Sequence, residues 1–299
     1  MEIRNNILGY LKKKYVQDLF DYYDEREAEQ LLSILIEHFF SITRNELILN
    51  PDYRLSESEI LKLHMAVKEL KKYRPVQYIT GVVEFHGLKL EVNPDVLIPR
   101  PETEELVKLI TDREKDSDLT VLDIGTGSGC IAIGLKSLLT RAHVNASDIS
   151  QSAINIAQTN ADANYMEVAF QIHDILNSKE PIRDKKGKQI LFDIIVSNPP
   201  YVTQEDKRKM HQNVLDYEPH SALFVTDNKP LKYYEAILNF SKENLKTGGR
   251  IYFEINESRK NEMVALMNQF GYSDIKLVKD LRYKSRFVFG SKKNHHCRA

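Results

Sequence analysis

Two short strings in this chain combine residue types that could hold and activate a reacting group. The first is Asn198-Pro199-Pro200-Tyr201, which follows the apolar run Ile194-Ile195-Val196 and Ser197. Asn198 offers a side-chain carbonyl, and the backbone carbonyl of Pro199 is a second acceptor, held stiffly by the ring constraints. Two such acceptors can take both N–H groups of a planar NH₂. They would fix its orientation and favour its lone pair over conjugation as positive charge develops on nitrogen. Tyr201 can pack on the flat face of that group. Chemistry of this kind is positioning and electrostatics. It needs no strong base, because the proton leaves most easily from the cationic product. The plainer alternative is that two prolines stop a strand, which leaves Asn198 and Tyr201 unexplained.

The second string is Gly125-Thr126-Gly127-Ser128-Gly129, directly after Val121-Leu122-Asp123-Ile124. The chain has 299 residues and only 12 glycines, against about 21 at average usage. Three of them within five residues imply a backbone reason: positive φ and close approach of a ligand. The dinucleotide fingerprint is G-x-G-x-x-G, whereas here the third glycine comes one residue early. No lysine follows, as a phosphate-binding P-loop would require. Asp148, at the end of the next strand, can accept hydrogen bonds from both hydroxyls of a ribose, although aspartate is also a common helix N-cap. Asp174, followed by Ile175, is placed to bind an adenine amino group or, equally, to cap a loop.

These spacings resemble the class I S-adenosylmethionine-dependent methyltransferases. The resemblance implies a Rossmann-like α/β fold with a seven-stranded sheet and an antiparallel last hairpin. Gly125, Thr126, Gly127, Ser128, Gly129, Asp148, Asp174, Ile175 and Asn198 would contact S-adenosyl-L-methionine, with S-adenosyl-L-homocysteine as product. The methyl sulfonium would lie in line for displacement by the amide nitrogen.

The elements that must position these strings follow from periodicity. Residues 1–73 read as a small all-α domain. Asp24 to Phe40 is amphipathic, and Ser56-Glu57-Ser58-Glu59 is a capping-box pattern leading into Ile60, Leu63, Val67 and Leu70. Residues 74–100 read as a linker with a hairpin, Val82 to Phe85 and Leu88 to Val92 around His86-Gly87. Residues 101–290 alternate strands and helices, which implies a parallel sheet covered on both faces. A helix from Leu231 to Leu245 is expected to end at a Gly248-Gly249 C-cap. Residues 178–189 form a polar, mostly basic loop, and residues 291–299 read as a disordered tail.

A longer string narrows the substrate. Arg74-Pro75-Val76-Gln77-Tyr78-Ile79-Thr80-Gly81 and Glu84-Phe85 precede Ile98-Pro99-Arg100-Pro101-Glu102-Thr103-Glu104. With the glycine loop and Asn-Pro-Pro-Tyr, it is similar to the PrmC/HemK family of peptide chain release factor glutamine methyltransferases. Tyr217-Glu218-Pro219, Ala222-Leu223, Asp227, Tyr233-Tyr234, Asp280-Leu281 and Arg286 add to the likeness. The resemblance implies methylation of the N5 side-chain nitrogen of the glutamine in the Gly-Gly-Gln loop of class 1 release factors. Asn198, Pro199, Pro200 and Tyr201 would be the catalytic and substrate-holding residues, with Phe85, Pro99 and Arg100 bordering the glutamine pocket. The N-terminal helices would touch the release factor away from that loop. Asn256 and Tyr283 stand where the family often has glycine. A second reading keeps the chemistry but takes an exocyclic amino group of a nucleic-acid base.

Composition bounds the alternatives. Formal net charge is −1 and the pI about 6.8, without the basic excess of a strong nucleic-acid binder, so no stable nucleic-acid partner is expected. No run of 18 apolar residues occurs, so no membrane span is expected. The two cysteines, Cys130 and Cys297, make no disulfide framework and suit a reducing compartment. With no apolar signal segment at the N-terminus, a cytoplasmic location is expected. No metal site is expected, since His295-His296-Cys297 reads as a frayed terminus.

Overall fold

A computed structural model describes residues 6–114, 117–178, 180–208 and 210–293. The chain divides into two compact units, residues 1–82 with 211–217, and residues 83–210 with 218–299. The first is helical: α1 (Leu8–Asp18), α2 (Glu25–Phe40), α3 (Arg44–Leu49), α4 (Glu57–Leu70) and α5 (Val76–Thr80). Asp24 caps α2 by accepting from Glu27 N, and Thr43 and Ser56 form capping boxes with Glu46 and Glu59. The apolar stripes of these helices meet in one core, with Leu8, Leu19, Leu32, Leu35, Leu63 and Leu70 excluded from water. Gly81, at φ 76, ends α5.

The second unit opens with a two-stranded sheet, β1 (Val82–Phe85) and β2 (Leu88–Glu91). Residues 83–100 therefore belong to this unit, and residues 74–82 to the helical one. Then come α6 (Pro101–Glu114), β3 (Thr120–Ile124), α7 (Cys130–Leu138), β4 (His143–Asp148), α8 (Gln151–Ala163), β5 (Val168–Ile172) and β6 (Phe192–Ser197). Three short helices follow, α9 (Gln204–Lys207), α10 (Gln212–Tyr217) and α11 (His220–Leu223), of which α10 clusters with the helical unit. The chain finishes with α12 (Lys232–Asn244), β7 (Leu245–Glu254), a 3₁₀ turn at Glu257–Arg259, α13 (Lys260–Gln269), β8 (Tyr272–Lys279) and β9 (Ser285–Lys292).

The main sheet has seven strands in the order β5-β4-β3-β6-β7-β9-β8, parallel except for β9, which runs against β7 and β8. Alternate residues of the central strands serve opposite faces. Val121, Ile194, Val196 and Tyr252 pack on one side with α6 and α7 residues. Leu122, Ile195, Ile251 and Phe253 pack on the other with α12 and α13 residues. Strand order reverses between β3 and β6, so the crevice beyond their carboxyl ends is where such a sheet holds ligands. Both chemistry-bearing strings leave the sheet there.

The expected Gly248-Gly249 helix stop is corrected. The helix α12 ends at Asn244, and both glycines lie within β7. Carbonyls in the last turn of α12 are served instead by Lys292, whose Nζ donates to those of Ser241 (3.1 Å) and Lys242 (2.5 Å) and to Leu245 O (2.6 Å) at the start of β7. Tyr283 takes φ 62 in the β8–β9 turn, a conformation glycine adopts without strain. Asn256 accepts from Ser258 N and donates to Asp206 Oδ2 (3.0 Å). Ser291 and Lys292 close β9, while the remainder of the expected tail, residues 294–299 with Cys297, lies outside the described residues. Among the described residues, no helix is long and apolar enough to cross a membrane.

Candidate active site

The glycine loop is a tight exit from β3. The amides of Gly125 and Thr126 both donate to Ser147 O, at 2.8 and 3.0 Å, which binds the loop to the end of β4. Gly125, Gly127 and Gly129 have φ of 75°, 54° and 83°. The three are not equivalent. A Cβ at Gly125 or Gly127 would meet nothing within 4 Å, because both face open space in a cavity of about 180 Å³. A Cβ at Gly129 would lie 3.0 Å from Ala157 Cβ and Ile133 Cδ1. Gly129 lets α7 approach α8 and does not itself line the cavity.

Asp148 reaches back over this loop. Its Oδ2 accepts from Gly127 N and its Oδ1 from Ser150 N, both at 2.9 Å. The N-cap of α8 is Ser150, so Asp148 is not spent as a cap and stays on the cavity wall. Asp174 caps its loop and also reaches the cavity. It accepts from Leu176 N (2.9 Å) and Asn177 Nδ2 (2.7 Å), the latter bond holding its carboxyl below the usual range, and it lines the cavity beside Ile175. Asp123 is fully buried beneath the loop and accepts from Thr126 Oγ1 at 2.6 Å. Burial pushes its carboxyl up to about 7.

Asn198, Pro199 and Pro200 line the same cavity. Ser197 Oγ donates to Ile124 O (2.6 Å), clamping the end of β6 to the end of β3. Asn198 Nδ2 donates to Thr103 Oγ1 (3.3 Å), and Thr103 Oγ1 donates to Glu254 Oε2 (2.9 Å). Tyr201 is not on the cavity wall. It is turned into the body of the unit, with its hydroxyl donating to Glu254 Oε1 (3.2 Å). That bond anchors the hydroxyl end of the ring, and the expected flat-face contact with a substrate amide stays a proposal. Burial raises the Tyr201 hydroxyl well above the usual tyrosine range, so it stays a donor.

Pro99 and Arg100 reach the cavity. Arg100 pairs with Glu218, a carboxylate almost excluded from water, which also accepts from Ile98 N (3.2 Å). This pair fixes the turn that the two prolines stiffen. Phe85 is the remaining residue expected to border the substrate. It is 1% exposed and lies in the core, with its Cε1 3.0 Å from where a Cβ would stand on Gly134 of α7. A helical glycine opens that slot, and Phe85 fills it rather than bordering a pocket.

Motif spacing alone does not single out Thr103, Glu254 or His173. Glu254 interrupts the otherwise apolar run Ile251-Tyr252-Phe253-Glu254-Ile255, and a carboxylate inside a buried strand is a signal of its own. His173 lines the cavity, and its buried Nε2 has no partner among the described residues. A ligand that supplies polar groups to Asp148 and His173 and apolar surface to Ile149, Ile175 and Ile237 fits this wall.

A glycine loop at the switch point of a seven-stranded sheet, sharing one cavity with the Asn198-Pro199-Pro200 turn, is the layout of a class I methyltransferase. The model of the Methyltransferase small domain family matches residues 102–224, and that of the PrmC N-terminal domain matches residues 14–81. The chain is 41% identical to the release factor glutamine methyltransferase of Flavobacterium psychrophilum, over 93% of this chain and 96% of that protein. It is 39% identical to the protein of the same description from Bacteroides thetaiotaomicron, over 95% and 98%. A solved methyltransferase from Pyrococcus furiosus, 19% identical, shares the fold over 70% of this chain and 90% of its own, with a TM-score of 0.50. The chain belongs to the release factor glutamine methyltransferase family.

Proposed function

We infer that this protein transfers the methyl group of S-adenosyl-L-methionine to the N5 amide nitrogen of the glutamine in the Gly-Gly-Gln motif of class 1 peptide chain release factors. The observation that carries the reading is that Asn198 and Pro199 share one cavity wall with Gly125, Gly127 and Asp148. That adjacency supports an acceptor site for an NH₂ beside a cofactor cradle. When bound, S-adenosylmethionine supplies a methyl group on a positively charged sulfur.

Gly125 and Gly127 leave room for that cofactor against the backbone, and Asp148 accepts from its ribose hydroxyls. Asp174 and Ile175 border its base. Asn198 Oδ1 and the Pro199 carbonyl take the two N–H groups of the glutamine amide, holding its nitrogen in line and favouring the lone pair. Tyr201 acts behind them, through Glu254. Pro99 and Arg100 border the glutamine side chain. The residues of 1–73 form a release-factor contact away from the reacting loop, and the protein works in the cytoplasm with a translation factor as its partner.

The test offers labelled S-adenosylmethionine with a release factor, its Gln→Ala variant at the Gly-Gly-Gln loop, tRNA and DNA. Label is expected in the intact release factor only. Label in nucleic acid, or equal label in the Gln→Ala variant, overturns the reading. Asn198→Ala is expected to abolish turnover while calorimetry shows cofactor binding retained.

A further inference from the structure

Among the described residues, Glu254 is the endpoint of every side-chain hydrogen bond that leads away from Asn198 through Thr103, and of the Tyr201 hydroxyl as well. It is 1% exposed and Thr103 is 2% exposed, so water does not complete the set. An ionised carboxylate only accepts. Both hydroxyls must then point their protons at it, Thr103 to Oε2 and Tyr201 to Oε1. A threonine that has donated its one proton can only accept on its remaining side. The neighbour it accepts from must be a donor, and the Asn198 side chain has its donor at Nδ2 and its acceptor at Oδ1.

We propose that Glu254, acting through Thr103, sets the direction of this hydrogen-bond chain and thereby holds Asn198 with its carbonyl oxygen toward the substrate amide. The proposal rests on the methyltransferase reading above, and both residues are positioning residues. Reversal would be serious. With its amide group turned into the cavity, Asn198 would present N–H to N–H and repel the group it must hold.

The charge state of Glu254 is set by several elements. Burial raises its carboxyl to about 7, the Thr103 and Tyr201 bonds and Arg286 of β9 pull down, and Glu102 of α6 pushes up. Tyr234 of α12 and Cys130 of α7 also face it, and both are held neutral by burial, with Cys130 pushed up to about 12. Arg286 stays cationic and is itself paired with Asp280 (3.4 Å). Glu254 is then the member of this group that changes charge near neutrality. Once protonated it carries a donor of its own, and the direction of the chain is no longer imposed.

The test compares wild type, Thr103→Val, Thr103→Ser and Glu254→Gln in release-factor methylation from pH 6 to 9. Cofactor affinity is measured by calorimetry alongside. Thr103→Val is expected to lower kcat at least about tenfold with KM for the release factor and cofactor affinity within about twofold, since orientation of the amide alone is lost. Thr103→Ser restores most of that rate. Wild-type kcat falls on the acid side through pH 7, and Glu254→Gln is slower with that limb flattened. If Thr103→Val and Glu254→Gln both keep wild-type kcat, or Glu254→Gln keeps the wild-type acid limb, the relay is overturned. Should Thr103→Val not fold, the serine variant and the two pH profiles still decide. Wild type that puts no label into the release factor would overturn the function itself, a separate outcome.

Discussion

Replacing Glu254 by glutamine is expected to make the protein more stable at pH 8 while making it less active. Glu254 is excluded from water, and burial raises its carboxyl from the ordinary value of 4.5 to about 7. The folded state therefore holds this proton more tightly than the unfolded chain. Between those two values the folded protein is protonated where the unfolded one is not, so stability falls as pH rises. The contribution is fully present below pH 4.5 and lost above pH 7. About 2.5 units at ~1.4 kcal/mol each gives roughly 3 kcal/mol, of which about 1 is already lost at pH 5. Glutamine keeps the size of the side chain, carries no charge, and can still accept from one hydroxyl and donate to the other.

The assay is thermal unfolding of wild type and Glu254→Gln at half-unit steps from pH 5 to 8. Roughly 2–4 °C per kcal/mol applies to a unit of this size, so the variant is expected to melt about 6–12 °C higher at pH 8, with a much smaller gap at pH 5. Asp123, whose carboxyl burial also raises to about 7, gives both proteins the same downward slope. The difference between the two curves isolates Glu254. A variant that melts below wild type at pH 8, or a gap that does not grow with pH, would falsify the claim that an ionised Glu254 is held against its own desolvation.

Three further outcomes follow from the site. Asp148→Ala removes the acceptor of Gly127 N and Ser150 N. At about 1.5–3 kcal/mol for bonds to a charged group it should raise the cofactor Kd roughly 10- to 100-fold; a Kd within twofold by calorimetry counts against the cradle. Gly127→Ala should lose about 1–2 kcal/mol to left-handed strain alone, whereas Gly129→Ala adds crowding at 3.0 Å from Ala157 and Ile133 and should melt lower; the reverse order refutes the division between them. Arg100→Ala leaves Glu218 buried without its cation. A loss of about 2–3 kcal/mol is expected in urea unfolding, at the low end for buried pairs because Arg100 is one-third exposed, and under ~0.5 kcal/mol would mean that the pair does not hold the turn.

What could be read from the sequence was what leaves a local trace. A glycine cluster needs positive φ, paired prolines stiffen a turn, and capping boxes open helices; each of these depends on residues within a few positions of one another. The strand alternation that buries Val121 against one layer and Leu122 against the other is also local in sequence. What escaped was set by packing. Gly129 shares a spacing with Gly125 and Gly127, but the approach of α8 to α7 claims it. Phe85 stands next to the string that suggests a pocket, but Gly134, an unremarked helical glycine, opens a slot for its ring in the core. Gly248-Gly249 look like a helix stop until Lys292, on the antiparallel strand, takes the carbonyls they would have served.

The relay from Asn198 to Glu254 is the strongest instance, because its members come from α6, the turn after β6 and the end of β7. No spacing rule joins Thr103 to Glu254; the strand order β3-β6-β7 does. The unit also keeps two acids where burial works against both. Asp123 lies near the carboxyl end of β3 and Glu254 at that of β7, and each ends on hydroxyls, Thr126 for one and Thr103 with Tyr201 for the other. An amide in either place would satisfy the same neighbours but would offer donor and acceptor alike. A charged carboxylate offers only acceptors, so every hydroxyl around it has one direction. Stability lost to a buried charge is thus the physical counterpart of a cavity wall whose donors and acceptors cannot be exchanged.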